Sequence, residues 1–246
     1  MALIDGLISY WKLDEASGTR NDSHSTNHLT DNATVGSGTG KVNNAADFIA
    51  ANGEFLSLAD NADVSFADDA LTFNLWGRPD DTGVTRTLFG KWSAAGDAPT
   101  LEYALRRLSG NVFDWRVGNG SGTNTNKSHS QAVSSATWYM VTVMHDPAAN
   151  VIGISVNGGA FETAAFSGGL LDSTNSFCVG RPGDFAGQYW DGLIDEMGVW
   201  GRVWTTDDLT EAYGGGTPPA YPFGAAARLR LPAVGATQAV LQASNY

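Results

Sequence analysis

The sequence holds a single cysteine, Cys178, in 246 residues. One thiol excludes an internal disulfide framework and a thiolate metal cluster. Within Ser176-Phe-Cys-Val-Gly180 it reads as a small buried hydrophobe rather than a nucleophile. Charge is also scarce, at 16% of residues, and cations are scarcest: 14 Lys and Arg against 26 Asp and Glu give a formal net charge of −12. That balance argues against nucleic acid and anionic membranes as partners, and it tolerates cations such as calcium. No apolar run approaches the length of a transmembrane helix, so membrane insertion is not expected. No secretory signal is expected either, because Met1-Ala-Leu-Ile4 runs at once into Asp5 and a first strand. Familiar catalytic patterns are missing too. There is no Gly-x-Ser-x-Gly elbow, and His24, His28, His129 and His145 have no local partner pattern. Gly36-x-Gly38-x-Gly40 and Gly118-x-Gly120-x-Gly122 precede no helix and read as turns, not phosphate cradles.

Glycine and apolar residues are abundant. Thirty glycines and 42% hydrophobic content suit one domain of many short strands joined by tight turns. Leu71, Phe73 and Leu75 alternate, as do Ile152, Ile154 and Val156, the mark of half-buried strands. Residues 138–144 are almost continuously apolar and predict a central strand. Ser109-Gly110-Asn111 and Asn157-Gly158-Gly159 are hairpin signals. The pattern is an all-β, two-sheet antiparallel sandwich. Residues 15–41 and 119–130 read as polar loops. Near the end, residues 193–200 form a strand and 206–213 one short helix, capped by Thr205 with Asp208 and stopped by Gly214-Gly-Gly216. Strict alternation along that strand puts Leu193, Asp195, Met197 and Val199 on one face, and turns Asp195 and Glu196 to opposite sides.

Gly192-Leu-Ile-Asp-Glu196, Gly201-Arg202 and the helix after them resemble the closing strand and helix of the laminin-G-like jelly rolls of the concanavalin A-like lectin/glucanase superfamily. Leu7-Ile-Ser-Tyr-Trp-Lys-Leu-Asp-Glu-Ala-Ser-Gly18 with Asn21-Asp-Ser23 resembles that family's first strand and loop. Ala46-Asp-Phe48, Leu71 to Trp76 and Trp138 to Val143 follow in the family's order, so the resemblance covers residues 5–213. It implies a concanavalin A-like jelly roll. It also implies a structural calcium joining the first loop to the closing strand, carried here by Asp22 and Asp195; oxygen donors of that kind suit calcium. Without a metal, Asp22 would cap a turn and Asp195 would pair with Lys12 or Arg202.

The same superfamily includes glucanases, whose acids alternate along one strand. Here the flanking acids are missing, and a glycoside hydrolase is the weakest reading. Binding remains, with a glycan or a protein as ligand. Trp92 and Trp115 are the candidate stacking platforms for sugar rings, beside Asn119 and Asn124 of the amide-rich loop. Beyond Gly216 the chain holds no acid and two arginines, Arg228 and Arg230. Residues 217–246 thus carry +2 and leave −14 on residues 1–216. Residues 1–216 are therefore read as the jelly roll, and 217–246 as an extended C-terminal arm that docks on neighbouring subunits. The expected setting is extracellular or a virion surface: an adhesion module, or the capsid-decoration or tail component of a homo-oligomer or larger assembly.

Overall fold

A computed structural model describes residues 1–93, 100–122, 124–184 and 186–223. In chain order the strands are β1 (Leu7–Trp11), β2 (Thr30–Asn32), β3 (Gly36–Thr39), β4 (Asn44–Phe48), β5 (Phe55–Leu58), β6 (Leu71–Pro79), β7 (Arg86–Trp92) and β8 (Leu101–Arg107). They continue as β9 (Phe113–Gly118), β10 (Asn124–Ser128), β11 (Tyr139–Asp146), β12 (Val151–Val156), β13 (Glu162–Ala165), β14 (Phe177–Val179) and β15 (Gly192–Trp200), followed by the helix α1 (Thr206–Tyr213).

Two antiparallel sheets stack face to face, as the sequence pattern and the resemblance both imply. One runs β13-β12-β11-β6-β15-β4-β3 with β1 also on β15, and the other runs β10-β9-β8-β7-β14-β5-β2. Inward residues of both, among them Phe73, Leu75, Phe89, Tyr103, Trp115 and Phe177, form one aromatic core between the layers. Burying each such ring contributes on the order of 2 kcal/mol or more. Cys178 is wholly buried, as its neighbours imply.

Three short edge strands lie in stretches read as loops. β2 and β3 lie inside residues 15–41, and β10 lies inside 119–130. β10 is Asn-Thr-Asn-Lys-Ser, too polar to be recognised by apolar alternation, yet it pairs in register with β9 from Asn124↔Gly118 to Ser128↔Asp114. An edge strand needs backbone partners on one side only, and polar residues with a lysine guard its open side. Buried Arg20 holds the long first loop, donating to the carbonyls of Gly18, Val35 and Gly36.

The closing strand departs most from expectation. Asp195 pairs with Trp76, but Gly198 pairs with Asn74, so Glu196 and Met197 together oppose Leu75. This is a β-bulge, with Glu196 at a φ of 49°. It falls where β15 changes partner, from β4 (residues 192–194) to β1 (residues 197–200). The extra residue resets the alternation. Ile194, Met197 and Val199 point into the core, whereas Trp200 belongs to a second apolar cluster on the outside of the eight-stranded sheet. Asp195 therefore shares no face with Met197 and Val199, and both Asp195 and Glu196 lie on the outer side.

Helix α1 covers part of that outer face with Leu209 and Ala212. The Thr205–Asp208 capping box is present, and Gly214 ends the helix in the left-handed region at φ 53°. Arg202 grips Asp208 through both guanidinium nitrogens, at 2.8 and 3.0 Å, which fixes the link from β15. The chain does not leave the domain at 216. Pro218 is buried, and Tyr221 and Phe223 pack on the same outer cluster as α1, so the compositional break is not the end of packing. Arg228, Arg230 and the rest of the expected arm, residues 224–246, lie outside the described residues.

Candidate functional site

On the outer face of the seven-stranded sheet, β8, β9 and β10 present two rows of polar side chains. Pairing aligns Ala104, Arg116 and Asn126 in one row and Arg106, Asp114 and Ser128 in the next. Asp114 is fully buried and receives Arg106 at 2.5 Å, the Asn126 amide at 2.8 Å and the Ser128 hydroxyl at 2.7 Å. One anion thus fixes three neighbours, which lowers the entropy that a ligand would otherwise have to remove. Asn126 is exposed and Arg116 half-buried. The Arg116 guanidinium stands 5.9 Å from the centre of the Trp92 ring. Planar guanidinium and amide donors of this kind match carboxylates and paired hydroxyls.

The residues singled out from sequence fall around this face with unequal fates. Trp92 sits on it beside Arg116, although it is only 3% exposed. Trp115 does not. It is 0% exposed and lies between the sheets, 6.0 Å from Phe89 and 5.9 Å from Tyr103, and its indole donates to the Met144 carbonyl at 3.2 Å. Its polar neighbours Asp114 and Arg116 point outward, which by period-2 alternation turns Trp115 inward; a stacking role for Trp115 is thereby corrected. Asn119 uses its carbonyl to accept from the Ser121 amide at 3.1 Å and hydroxyl at 2.8 Å, holding a turn. Asn124 opens β10 at the same end of the face. Arg106, Asp114, Arg116 and Asn126 went unnoticed in the sequence. For Asp114 and Arg116 the signal was the alternation in Phe113-Asp-Trp-Arg116, where every second residue is polar.

Asp22 and Asp195 do not offer a shared metal pair. The Asp22 Oδ1 accepts the amides of Tyr10 (3.0 Å), His24 (2.9 Å) and Ser25 (3.0 Å), and Oδ2 accepts that of Asn27 (3.2 Å). Burial pushes its pKa up, but these donors outweigh burial and hold it below the ordinary value. Asp22 is the organiser of its loop, capping a turn as the metal-free reading has it. The N–H groups converge where a calcium would need to approach, so the residue does not fit as its ligand. Among the described residues no three His, Cys, Asp or Glu side chains are grouped to hold a metal.

Asp195 pairs with neither Lys12 nor Arg202. Its Oδ2 accepts the amides of Lys41 (2.7 Å) and Val42 (2.9 Å), while Oδ1 is buried with no partner. Gly40 permits this approach, since a Cβ there would collide with Asn44 O and Asp195 Oδ2. Burial, with the nearby Glu196 charge adding to it, pushes Asp195 up to about 8 despite the two amides. Glu196 is pushed up to about 7 by burial, against the hydrogen bond it accepts from the Tyr10 hydroxyl. A third acid, Glu102, is raised to about 7 by burial even though Lys91 lies 2.9 Å away. Lys91 also reaches Asp60 at 2.6 Å and the Ser173 carbonyl at 2.6 Å, so this cluster ties two loops to β7 and β8.

A laminin-G family model of the concanavalin A-like lectin/glucanases superfamily matches residues 51–210. No curated protein matches the sequence. Solved structures are similar at the level of fold. The binding domain of Paraclostridial Mosquitocidal Protein 1 superposes with a TM-score of 0.70 at 13% identity, over 87% of this chain and 53% of that one. Domain 4 of AbnA, a GH43 extracellular arabinanase from Geobacillus stearothermophilus, solved with arabinotriose, gives 0.61 at 17% identity over 83% and 96%. The Botulinum neurotoxin serotype D ligand-binding domain, solved with N-acetylneuraminic acid, gives 0.65 at 11% identity over 87% and 55%. The chain thus spans about half the length of the toxin domains it matches and nearly all of the arabinanase domain.

Proposed function

Since the chain belongs to the concanavalin A-like lectin/glucanases superfamily, we propose that it is a non-catalytic recognition module whose ligand is a glycan held on the outer face of the seven-stranded sheet. The observation that carries this reading is the Asp114-centred network. A buried carboxylate holds Arg106, Asn126 and Ser128 in fixed register, beside Arg116 over Trp92. Pre-set donors of this geometry bind hydroxyl-rich rings with little ordering cost. The neighbours captured with arabinotriose and with N-acetylneuraminic acid support a sugar as the ligand class. An extracellular setting accords with those neighbours, and no helix among the described residues is long and apolar enough to cross a membrane.

Hydrolysis is disfavoured by placement. A glycosidase needs two carboxyls flanking a sugar-sized cleft. On the polar face Asp114 is already engaged by three donors; of the three raised acids, Asp195 and Glu196 lie buried on the opposite side of the sandwich, and Glu102 is buried and tied to Lys91 at 2.9 Å. The test is a glycan array followed by calorimetry. Arg116→Ala and Asn126→Ala are each expected to weaken the best ligand at least about tenfold while leaving the circular dichroism spectrum unchanged. Full affinity in both variants would remove the site from this face, and release of reducing sugar by the unmodified chain would replace binding with catalysis.

A further inference from the structure

The outer face of the eight-stranded sheet is aromatic where its counterpart is polar. Tyr10, Trp76, Trp200 and Trp204 gather there in a cluster separate from the inter-sheet core. Uncovered, such a surface would be a large apolar patch of the kind that marks interaction sites. In this chain α1 covers one part, and Pro218–Phe223, a strap of prolines and aromatic rings, covers another. Tyr221 stacks on Tyr10 with ring centres 4.8 Å apart and planes 17° from parallel. Phe223 meets Tyr10 edge-on at 5.0 Å and lies 6.3 Å from Trp200. The Tyr221 hydroxyl is 3.2 Å from His24 Nδ1, and the Lys12 ammonium stands 5.9 Å from the Tyr221 ring.

The strap fills the groove incompletely. The indole nitrogens of Trp76 and Trp204 are buried and have no acceptor. They belong to residues 2% and 3% exposed, lining a cavity of about 10 Å³ together with Asn74, Glu196, Pro218 and Phe223. That space suits a single oxygen-sized group. Within the chain neither N–H finds an acceptor, so a ligand carbonyl reaching them would displace no protein partner.

We propose that this groove is a recognition site for a proline- and aromatic-bearing extended segment of a partner protein, and that residues 218–223 occupy it in cis as a stand-in. Aromatic-lined grooves hold proline-bearing segments because the pyrrolidine ring packs flat on the aromatic faces and the stiff chain loses little entropy on docking. The occupant seen here has that chemistry. It supplies the rings but no acceptor for the two indole donors, whereas a segment arriving from outside is free to choose the register that brings a backbone carbonyl to them. This site is distinct from the polar face and stands whether or not that face binds sugar.

The experiment uses the full chain, a Tyr221→Ala/Phe223→Ala variant of it, and as probe a capped synthetic peptide Thr-Pro-Pro-Ala-Tyr-Pro-Phe. The variant is expected to bind the peptide, with the indole N–H resonances of Trp76 and Trp204 shifting on titration. The unmodified chain is expected to bind it at least about tenfold more weakly, because its own strap competes and only the open fraction is available. In hydrogen exchange on the unmodified chain, residues 217–223 are expected to open well before β15. A folded variant whose indole resonances do not move at millimolar peptide would overturn the proposal. A variant that fails to fold, or strap amides protected as long as those of β15, would do the same by making the strap a permanent part of the domain. A concentration-dependent dimer of the variant would give the groove to a second copy of this chain, and displacement of the strap by sugars but not by peptide would give it to a glycan; either result overturns the partner reading.

Discussion

The two outward faces of this sandwich solve opposite problems with the same strand alternation. On the seven-stranded sheet, Arg106, Asp114, Arg116 and Asn126 face outward, and a buried carboxylate holds the donors in place. On the eight-stranded sheet, Tyr10, Trp76 and Trp200 face outward, and the chain folds α1 and the strap back over them. The first face is stabilised by hydrogen bonds and is left partly open; the second is stabilised by area and is covered. A polar surface can await a ligand in water at little cost, whereas an aromatic one needs an occupant at all times. This difference suggests that substitutions on one face change binding, and on the other change stability.

That contrast gives an ordered set of tests. The largest effect is expected at Trp200→Ala, which removes a wholly buried ring from the covered face and whose indole also donates to the Leu3 carbonyl at 2.6 Å. The loss should be about 3–5 kcal/mol in urea titration. A loss under about 1 kcal/mol would mean that the covered face contributes little and that the contrast is false.

An intermediate effect is expected from Asp195→Asn, which keeps an acceptor for the Lys41 and Val42 amides. In the unfolded chain this acid ionises near about pH 4, but in the fold it does so at about 8. Between those values the folded state holds the extra proton, so stability falls as pH rises through the window, with Glu196 and Glu102 adding to the slope up to about 7. Asp22 and Asp208 are shifted downward and work in the opposite sense, losing their contribution only on acidification below the ordinary carboxylate range. The Asn variant should therefore match the parent at about pH 4, draw ahead as pH rises, and exceed it at pH 8 by more than about 1 kcal/mol. Melting curves of the two chains that stay parallel from pH 5 to 8 would show that Asp195 is not held protonated. The smallest stability effect belongs to the polar face. Asn126→Ala loses one hydrogen bond to Asp114, which keeps two other donors, and should cost only about 0.5–1.5 kcal/mol. A loss as large as that of Trp200→Ala would make this face structural rather than receptive.

How much of this was legible in the sequence depended on apolar periodicity. β6, β11 and β12 announce themselves by Leu71-x-Phe-x-Leu75, the apolar run after Trp138 and Ile152-x-Ile-x-Val156, and α1 by its caps. β10 did not, because an edge strand of Asn, Thr, Lys and Ser is held by backbone pairing that leaves no side-chain signature. The sites were harder still. Trp115 stood among polar neighbours and so looked exposed, when those same neighbours showed that it faced in. The bulge at Glu196 was invisible because one inserted residue changes no composition, only phase. Neither is the covering of the outer aromatics by residues 218–223 written in any local pattern; it depends on Tyr10, more than two hundred positions away, meeting Tyr221.

The bulge has a practical side for anyone altering β15. Upstream of it, odd-numbered positions look outward and even-numbered ones inward; downstream the parity is swapped. A full substitution scan from 192 to 200 should therefore show tolerance that skips a beat at Glu196. Deleting that single residue would join the two halves in unbroken alternation, with Met197 and Val199 still facing the interior and Trp200 still outward, whereas inserting one more would turn the downstream half over. The closing strand is in effect two short strands spliced out of step, and grafted loops or inserted tags must respect whichever half they join.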